Sequence, residues 1–194
     1  TEAFWKVANP WFRELFPDAP QWDAKTLNKI ANTVSTGFIR VEADEVTYNL
    51  HVMLRYEIEK KLFNGELTVK ELPNTWNKMF EEWFGETVPN DSQGCLQDVH
   101  WSMAAFGYFP TYTLGNLYCA QFFETALVAI PDMYEQFARG EFGSLKTWLN
   151  ENIHCNGRRY RAADLCEKVT GKPLSSDPLM RHLENKLKPL YGLA

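Results

Sequence analysis

The chain lacks most of the short patterns that mark a particular chemistry. It contains no GxSxG elbow, no GxxxxGK[ST] loop and no GxGxxG turn, which removes the usual serine-hydrolase, phosphate-loop and dinucleotide readings. Its four histidines stand at 51, 100, 154 and 182, no two of them three or four residues apart. There is therefore no HExxH and no pair of zinc ligands on one helical turn. The four cysteines, Cys95, Cys119, Cys155 and Cys166, include no CxxC and are too few for a disulfide scaffold, so they read as reduced thiols in a cytoplasmic protein. His154, Cys155 and Cys166 as a metal set lack a fourth ligand.

Positive charge is also short. Twenty Lys and Arg against twenty-five Asp and Glu leave a net charge of −5, which gives no support for binding nucleic acid or an anionic membrane surface. No apolar run approaches the roughly 18–20 residues of a transmembrane helix, and no signal peptide is visible. The chain opens Thr-Glu-Ala without an initiator Met, and reads as a piece of something longer.

What is present is a folded, aromatic-rich helical pattern. At 194 residues, 45% hydrophobic and 14% aromatic, the chain can bury one sizeable core and is read as a single all-α domain, 1–194. Two short turns, Thr1–Ala8 and Trp11–Phe16, are expected on either side of Asn9-Pro10. Asp23 is placed to cap a helix with Leu27, Ile30 and Val34 on its buried face. The longest helix is expected from Phe38 to Phe63, ended by Asn64-Gly65. Its apolar stripe is Val46, Leu50, Met53, Leu54, Ile58 and Leu62, and Arg40, Asp44, Thr47, His51 and Arg55 form a separate polar stripe. Arg40 and Asp44 are four residues apart and can pair, whereas Arg55 and the Glu57–Lys61 run read as solvated. Thr68 and Glu71 fit a capping box for a helix that turns Trp76, Phe80, Trp83 and Phe84 inward. Further helices are expected at about Leu114–Ala129, after Pro131-Asp132, after Gly143-Ser144, at Ala162–Thr170 and from Asp177 with Pro178 at its first position. A basic turn, HCNGRRYR, runs from His154 to Arg161.

One stretch departs from this plain pattern. Gly94–Gln121, GCLQDVHWSMAAFGYFPTYTLGNLYCAQ, carries His, Asp, two Gln and several Tyr with few charges. Buried polar groups need partners, so such a cluster is either a site or a well-satisfied core of Trp101, Phe106, Tyr108, Phe109 and Tyr112 around His100. The groups present suit holding something: Arg40 can clamp a carboxylate in a fork, and His100, Tyr108 and Tyr112 can donate hydrogen bonds to a developing oxyanion. No general base or water-polarising group is evident beside them.

IRVEADE at Ile39–Glu45, GCLQDVHW at Gly94–Trp101 and FGYFPTYTLGN at Phe106–Asn116 resemble, in order, the I/V-R-x-x-A-D block, the G-x-x-Q-D-x-H-W block and the Tyr-rich block of the M32 family of metallocarboxypeptidases. The resemblance covers essentially the whole chain. It implies the C-terminal part of a helical, gluzincin-like zinc peptidase that removes C-terminal residues from peptides, usually as a homodimer. In that family an HExxH helix and a later Glu hold the zinc, and this sequence lacks them; they are expected upstream of Thr1, so no zinc is expected on this chain and the chain alone is expected to be inactive. The same resemblance assigns Arg40 and Tyr108 to substrate binding, with Asp44 orienting Arg40. It makes His100 a catalytic contact to the tetrahedral intermediate, places a tyrosine over the oxyanion, Tyr112 in preference to Tyr108, and sets Gln97 and Asp98 behind them. The rival reading is a helical interaction or dimerisation module, in which Arg40, His100 and Tyr112 would point to different places.

Overall fold

A computed structural model of the chain describes residues 1–193. It is all helical, with no strand among the described residues. These residues form nine α-helices: α1 Glu2–Leu15, α2 Ala24–Ala31, α3 Tyr48–Phe63, α4 Leu72–Phe84, α5 Pro110–Ala129, α6 Met133–Ala138, α7 Gly143–Asn152, α8 Ala162–Thr170 and α9 Asp177–Tyr191. None of the nine is long and apolar enough to cross a membrane. The chain divides into two compact units, one made of residues 1–32 with 116–194 and the other of residues 33–115.

In the first unit α1 packs on α2 and α6. Contrary to the two turns expected, α1 runs unbroken through Pro10; the proline removes one backbone donor, and packing on two neighbours holds the helix together. Asp23 caps α2 as expected, accepting from Thr26 N at 2.7 Å. Leu27 is buried there while Ile30 is exposed, and α2 stops at Ala31, short of Val34. Gln121, buried on α5, donates to Thr170 Oγ1 and the Pro173 carbonyl and accepts from Ser175 N, which ties down the link between α8 and α9.

The second unit holds the larger apolar cluster. Leu54 and Ile58 of α3 pack with Trp76, Met79, Phe80 and Phe84 of α4 and with Leu67, Val88 and Cys95. The helix expected from Phe38 begins ten residues later. Asp44 is the reason: its carboxylate accepts from Val46 N (2.8 Å), Thr47 N (3.1 Å), Thr47 Oγ1 (3.0 Å) and Ser35 N (3.0 Å). A side chain so placed starts a helix and does not continue one. Arg40 is left in a separate 3-10 turn, Arg40–Glu42, followed by extended backbone at Ala43. Glu71 accepts from Thr68 N (3.1 Å) and Thr68 Oγ1 (2.6 Å), one half of the anticipated box, and α4 buries Trp76, Phe80 and Phe84 as expected.

Candidate active site

The polar stripe of α3 faces inward. Thr47, His51, Arg55 and Glu59, spaced four residues apart, are 5%, 0%, 1% and 4% exposed. Of the residues expected on the buried apolar face, Val46 and Met53 are instead exposed. Arg55 and Glu59 are thus corrected from solvated to buried. A row of polar groups on the inner face of a helix is costly unless partners arrive from elsewhere; Asp44 supplies them for Thr47, and the segment 94–112 supplies them for Arg55 and Glu59.

Asp98 is the central partner. Its Oδ1 accepts from Arg40 Nη2 at 2.6 Å and its Oδ2 from Arg55 Nε at 2.6 Å. Arg40 Nε adds longer bonds to both oxygens, and Arg40 Nη1 donates to Tyr48 Oη at 2.9 Å. The expected Arg40–Asp44 pair does not form, because Asp44 is spent on backbone and Thr47. Burial alone would push the Asp98 carboxyl up. The hydrogen bond from Arg40 and the charges of both guanidiniums outweigh it and hold the group below its ordinary value. Burial works against the Arg40 charge in the same way, and Asp98 and Tyr48 reverse it, so Arg40 is pushed up.

Arg55 also donates from Nη1 to the His51 carbonyl at 2.8 Å. Its guanidinium carbon lies 4.7 Å from the Trp76 ring centre and 5.4 Å from that of Phe109, while Nη2 is buried without a hydrogen bond. His51 sits against Phe84 and Phe80, ring centres 4.6 and 5.7 Å away, with neither ring nitrogen in a hydrogen bond of good geometry. Burial first, and the Arg55 charge second, push its imidazole down to about 4; the Gly37 backbone offsets this only in part.

The G-x-x-Q-D-x-H-W block is built to deliver Asp98 and His100. A Cβ at Gly94 would meet Val88 Cγ1 at 3.0 Å and the Asn90 carbonyl at 3.3 Å, so any larger residue would have to push these neighbours back by a few tenths of an ångström. Gln97 ties the block to the Arg40 turn: its Oε1 accepts from Arg40 N at 2.8 Å and its Nε2 donates to the Phe38 carbonyl at 2.9 Å. His100 Nε2 lies 2.9 Å from Tyr112 Oη, with donor and acceptor set by the imidazole tautomer, and its Nδ1 lies 3.8 Å from Asp98 Oδ1. Tyr112, in the first turn of α5, also carries Arg40 over its ring, guanidinium carbon to centre 4.9 Å. Tyr108 is 49% exposed, its ring 5.5 Å from Tyr112 and 5.7 Å from His100. Of the aromatics expected to form a core around His100, Phe109 is buried, whereas Phe106 and Tyr108 are exposed.

Glu59 fixes the turn before α5. Its Oε1 accepts from Trp101 Nε1 (2.8 Å) and its Oε2 from Gly107 N (3.0 Å), where Gly107 takes φ +73°. Glu59→Gln is expected to cost about 1–3 kcal/mol in urea unfolding, because an amide offers one acceptor where two buried donors need two. A loss of a few tenths would mean that the turn does not depend on Glu59.

Arg40, Gln97, Asp98, His100, Tyr108 and Tyr112 thus fall into one contact network, and Asp44 lies outside it. Arg55, Glu59 and Tyr48 belong to it and were missed. The usable signal was the four-residue row from Thr47 to Glu59, together with an Asp and a Trp in the second block that needed partners. These donors do not fit a metal ion. Both Asp98 oxygens are taken by guanidiniums and His100 Nε2 by Tyr112, and no group of three or more His, Cys, Asp or Glu among the described residues is placed to hold one.

Residues 1–187 match the family described as Carboxypeptidase Taq (M32) metallopeptidase. Thermostable carboxypeptidase 1 of Thermus thermophilus is 43% identical over 97% of this chain and 37% of its own length. Carboxypeptidase 1 of Bacillus subtilis is 39% identical over 98% of the chain and 38% of its own length. Among solved structures, the M32 carboxypeptidase of Deinococcus radiodurans superposes with a TM-score of 0.94 at 38% identity, over all of this chain and 39% of that one. The chain therefore spans less than two-fifths of the length of these relatives. On the strength of a match along nearly its whole length, the chain belongs to the M32 metallopeptidase family.

Proposed function

We propose that this chain is the substrate-facing, C-terminal portion of a zinc-dependent carboxypeptidase that hydrolyses C-terminal residues from peptides. The observation that carries the reading is the meeting of three separate sequence blocks in one network: Arg40 with Asp98 at 2.6 Å, and His100 with Tyr112 at 2.9 Å. A dimerisation module alone has no need of that meeting. The network's own donors do not suit a metal, so the zinc would be held by residues outside this chain, and the chain's part is to bind and to stabilise charge.

Arg40 offers five N–H groups; one each on Nε, Nη1 and Nη2 is engaged, and the remaining Nη hydrogens would meet the terminal carboxylate of the peptide. Its side chain is only 5% exposed, so that contact is made along a narrow edge, and exposed Tyr108 would line the approach. On substrate binding the 2.9 Å His100–Tyr112 bond would open, and both groups would then donate to the oxygen on which negative charge develops during hydrolysis. Gln97 and Asp98 hold Arg40 and His100 in place. The parent enzyme is read as a cytoplasmic homodimer acting on peptide C termini, without nucleic-acid or membrane partners.

Alone, the chain is expected to release no C-terminal residue from an N-blocked peptide and to bind no stoichiometric zinc in equilibrium dialysis. Preceded by an HExxH-bearing segment of the family it should gain activity, and His100→Ala should then lower kcat by about 10²–10³-fold. Metal-dependent release of C-terminal residues by the chain alone would overturn this division of labour.

A further inference from the structure

Asp98 is one carboxylate shared by two guanidiniums, each at 2.6 Å. Two further carboxylates of the surrounding segments are held by other donors: Asp44 by backbone and Thr47, Glu59 by Trp101 and Gly107. Neither makes an ion pair with Arg40 or Arg55. The Arg40–Asp98–Arg55 group therefore carries one net positive charge.

Without Arg55, Arg40 and Asp98 would close into a neutral pair. An incoming carboxylate would then have to compete with Asp98 for the Arg40 guanidinium while being repelled by it. Arg55 draws off Oδ2 and adds the missing charge from behind. The way it is held fits that role better than a stabilising one. Trp76 and Phe109 lie on its guanidinium, it is 1% exposed, and Nη2 is left without a partner. An apolar residue would fill that space without burying an unmatched donor.

We propose that Arg55 is a positioning residue that keeps the Arg40–Asp98 pair electropositive, so that the site takes a peptide's free terminal carboxylate in preference to neutral termini. This rests on the assignment of Arg40 to that carboxylate.

The test is a titration of the chain with N-acetyl-Ala-Ala and with its C-terminal amide, read by calorimetry and by side-chain NMR. The unaltered chain should bind the acid selectively, and Arg40→Ala should abolish the preference. Arg55→Gln keeps a donor for Asp98 but no charge, and should weaken acid binding by about tenfold or more. Arg55→Lys restores the charge and should bind within about threefold of the unaltered chain. A merely structural arginine would be damaged equally by both changes, so equal weakening overturns the proposal, as does a Gln variant that binds normally. Should either variant fail to fold, the Arg55 Nε–H signal of the unaltered chain decides: it should move with the acid and not with the amide. An unmoved signal at acid saturation overturns the proposal. If acid and amide behave alike in the unaltered chain, the assignment of Arg40 falls and takes the proposal with it. If selectivity depends on Arg40 but not on Arg55, only the proposal falls.

Discussion

Asp98→Ala is expected to cost the residue 33–115 unit about 3–5 kcal/mol, the range for removing one partner of a buried ion pair. The substitution leaves two guanidiniums, on side chains 5% and 1% exposed, facing each other without their common counter-ion. It also frees three N–H donors of Arg40 and Arg55 that no water can easily reach. Arg55→Met should cost less, since Arg40 and Asp98 remain matched and a methionine can lie against Trp76 and Phe109. Urea unfolding of the two variants side by side measures the difference. A loss below about 1 kcal/mol for Asp98→Ala would mean that the cluster behaves as a surface ion pair.

The second large effect is acid lability through His51. Its imidazole is pushed down to about 4 in the folded chain, against about 6.5 when unfolded. Above pH 6.5 both states are neutral and the full stability is present. As pH falls below 6.5 the unfolded chain takes up a proton that the folded chain refuses, so stability drains away until the folded group itself titrates near 4. The loss across that window is about 3 kcal/mol. Asp98, held below its ordinary value, contributes stability that is present above pH ~4 and goes only below it. The two windows are therefore separate. His51→Phe keeps a ring against Phe80 and Phe84 and removes two buried nitrogens that make no hydrogen bond of good geometry. It should stay within about 1.5 kcal/mol of the parent at pH 7, yet lose about 2–3 kcal/mol less between pH 7 and pH 4.5. Equal losses for both proteins would acquit His51.

Much of the helical order was legible in the sequence, because caps and breakers act locally. Asp23 starts α2, Gly171 ends α8, and Asp177-Pro178 opens α9, each within a residue of expectation. What failed was the decision about which face of a helix is inside. Thr47, His51, Arg55 and Glu59 have the composition of a solvated row, and nothing within a few residues of them says otherwise. The burial of Arg55 and Glu59 rests on Asp98, Trp101 and Gly107, more than forty residues along the chain. Asp44 misled for the opposite reason. Four residues after an arginine it reads as a helical ion-pair partner, but a short carboxylate beside free backbone donors prefers to bond with them. The family resemblance located Arg40, Asp98, His100 and Tyr112 as a group, yet it carried no information on Arg55 or Glu59, which lie between its blocks.

The inward polar row of α3 also bears on the order in which the chain folds. The apolar side of α3 can dock on α4 early, since Leu54 and Ile58 meet Trp76 and Phe80 across a short connection. The polar side has no such freedom. Arg55 and Glu59 must stay hydrated until Asp98, Trp101 and Gly107 arrive, 43, 42 and 48 residues away in sequence. The scaffold is therefore expected to form before residues 94–109 close over it. In the native chain residues 94–109 are expected to lift while α3 and α4 stay together, so their amides should exchange with solvent before those of Leu54 or Phe80.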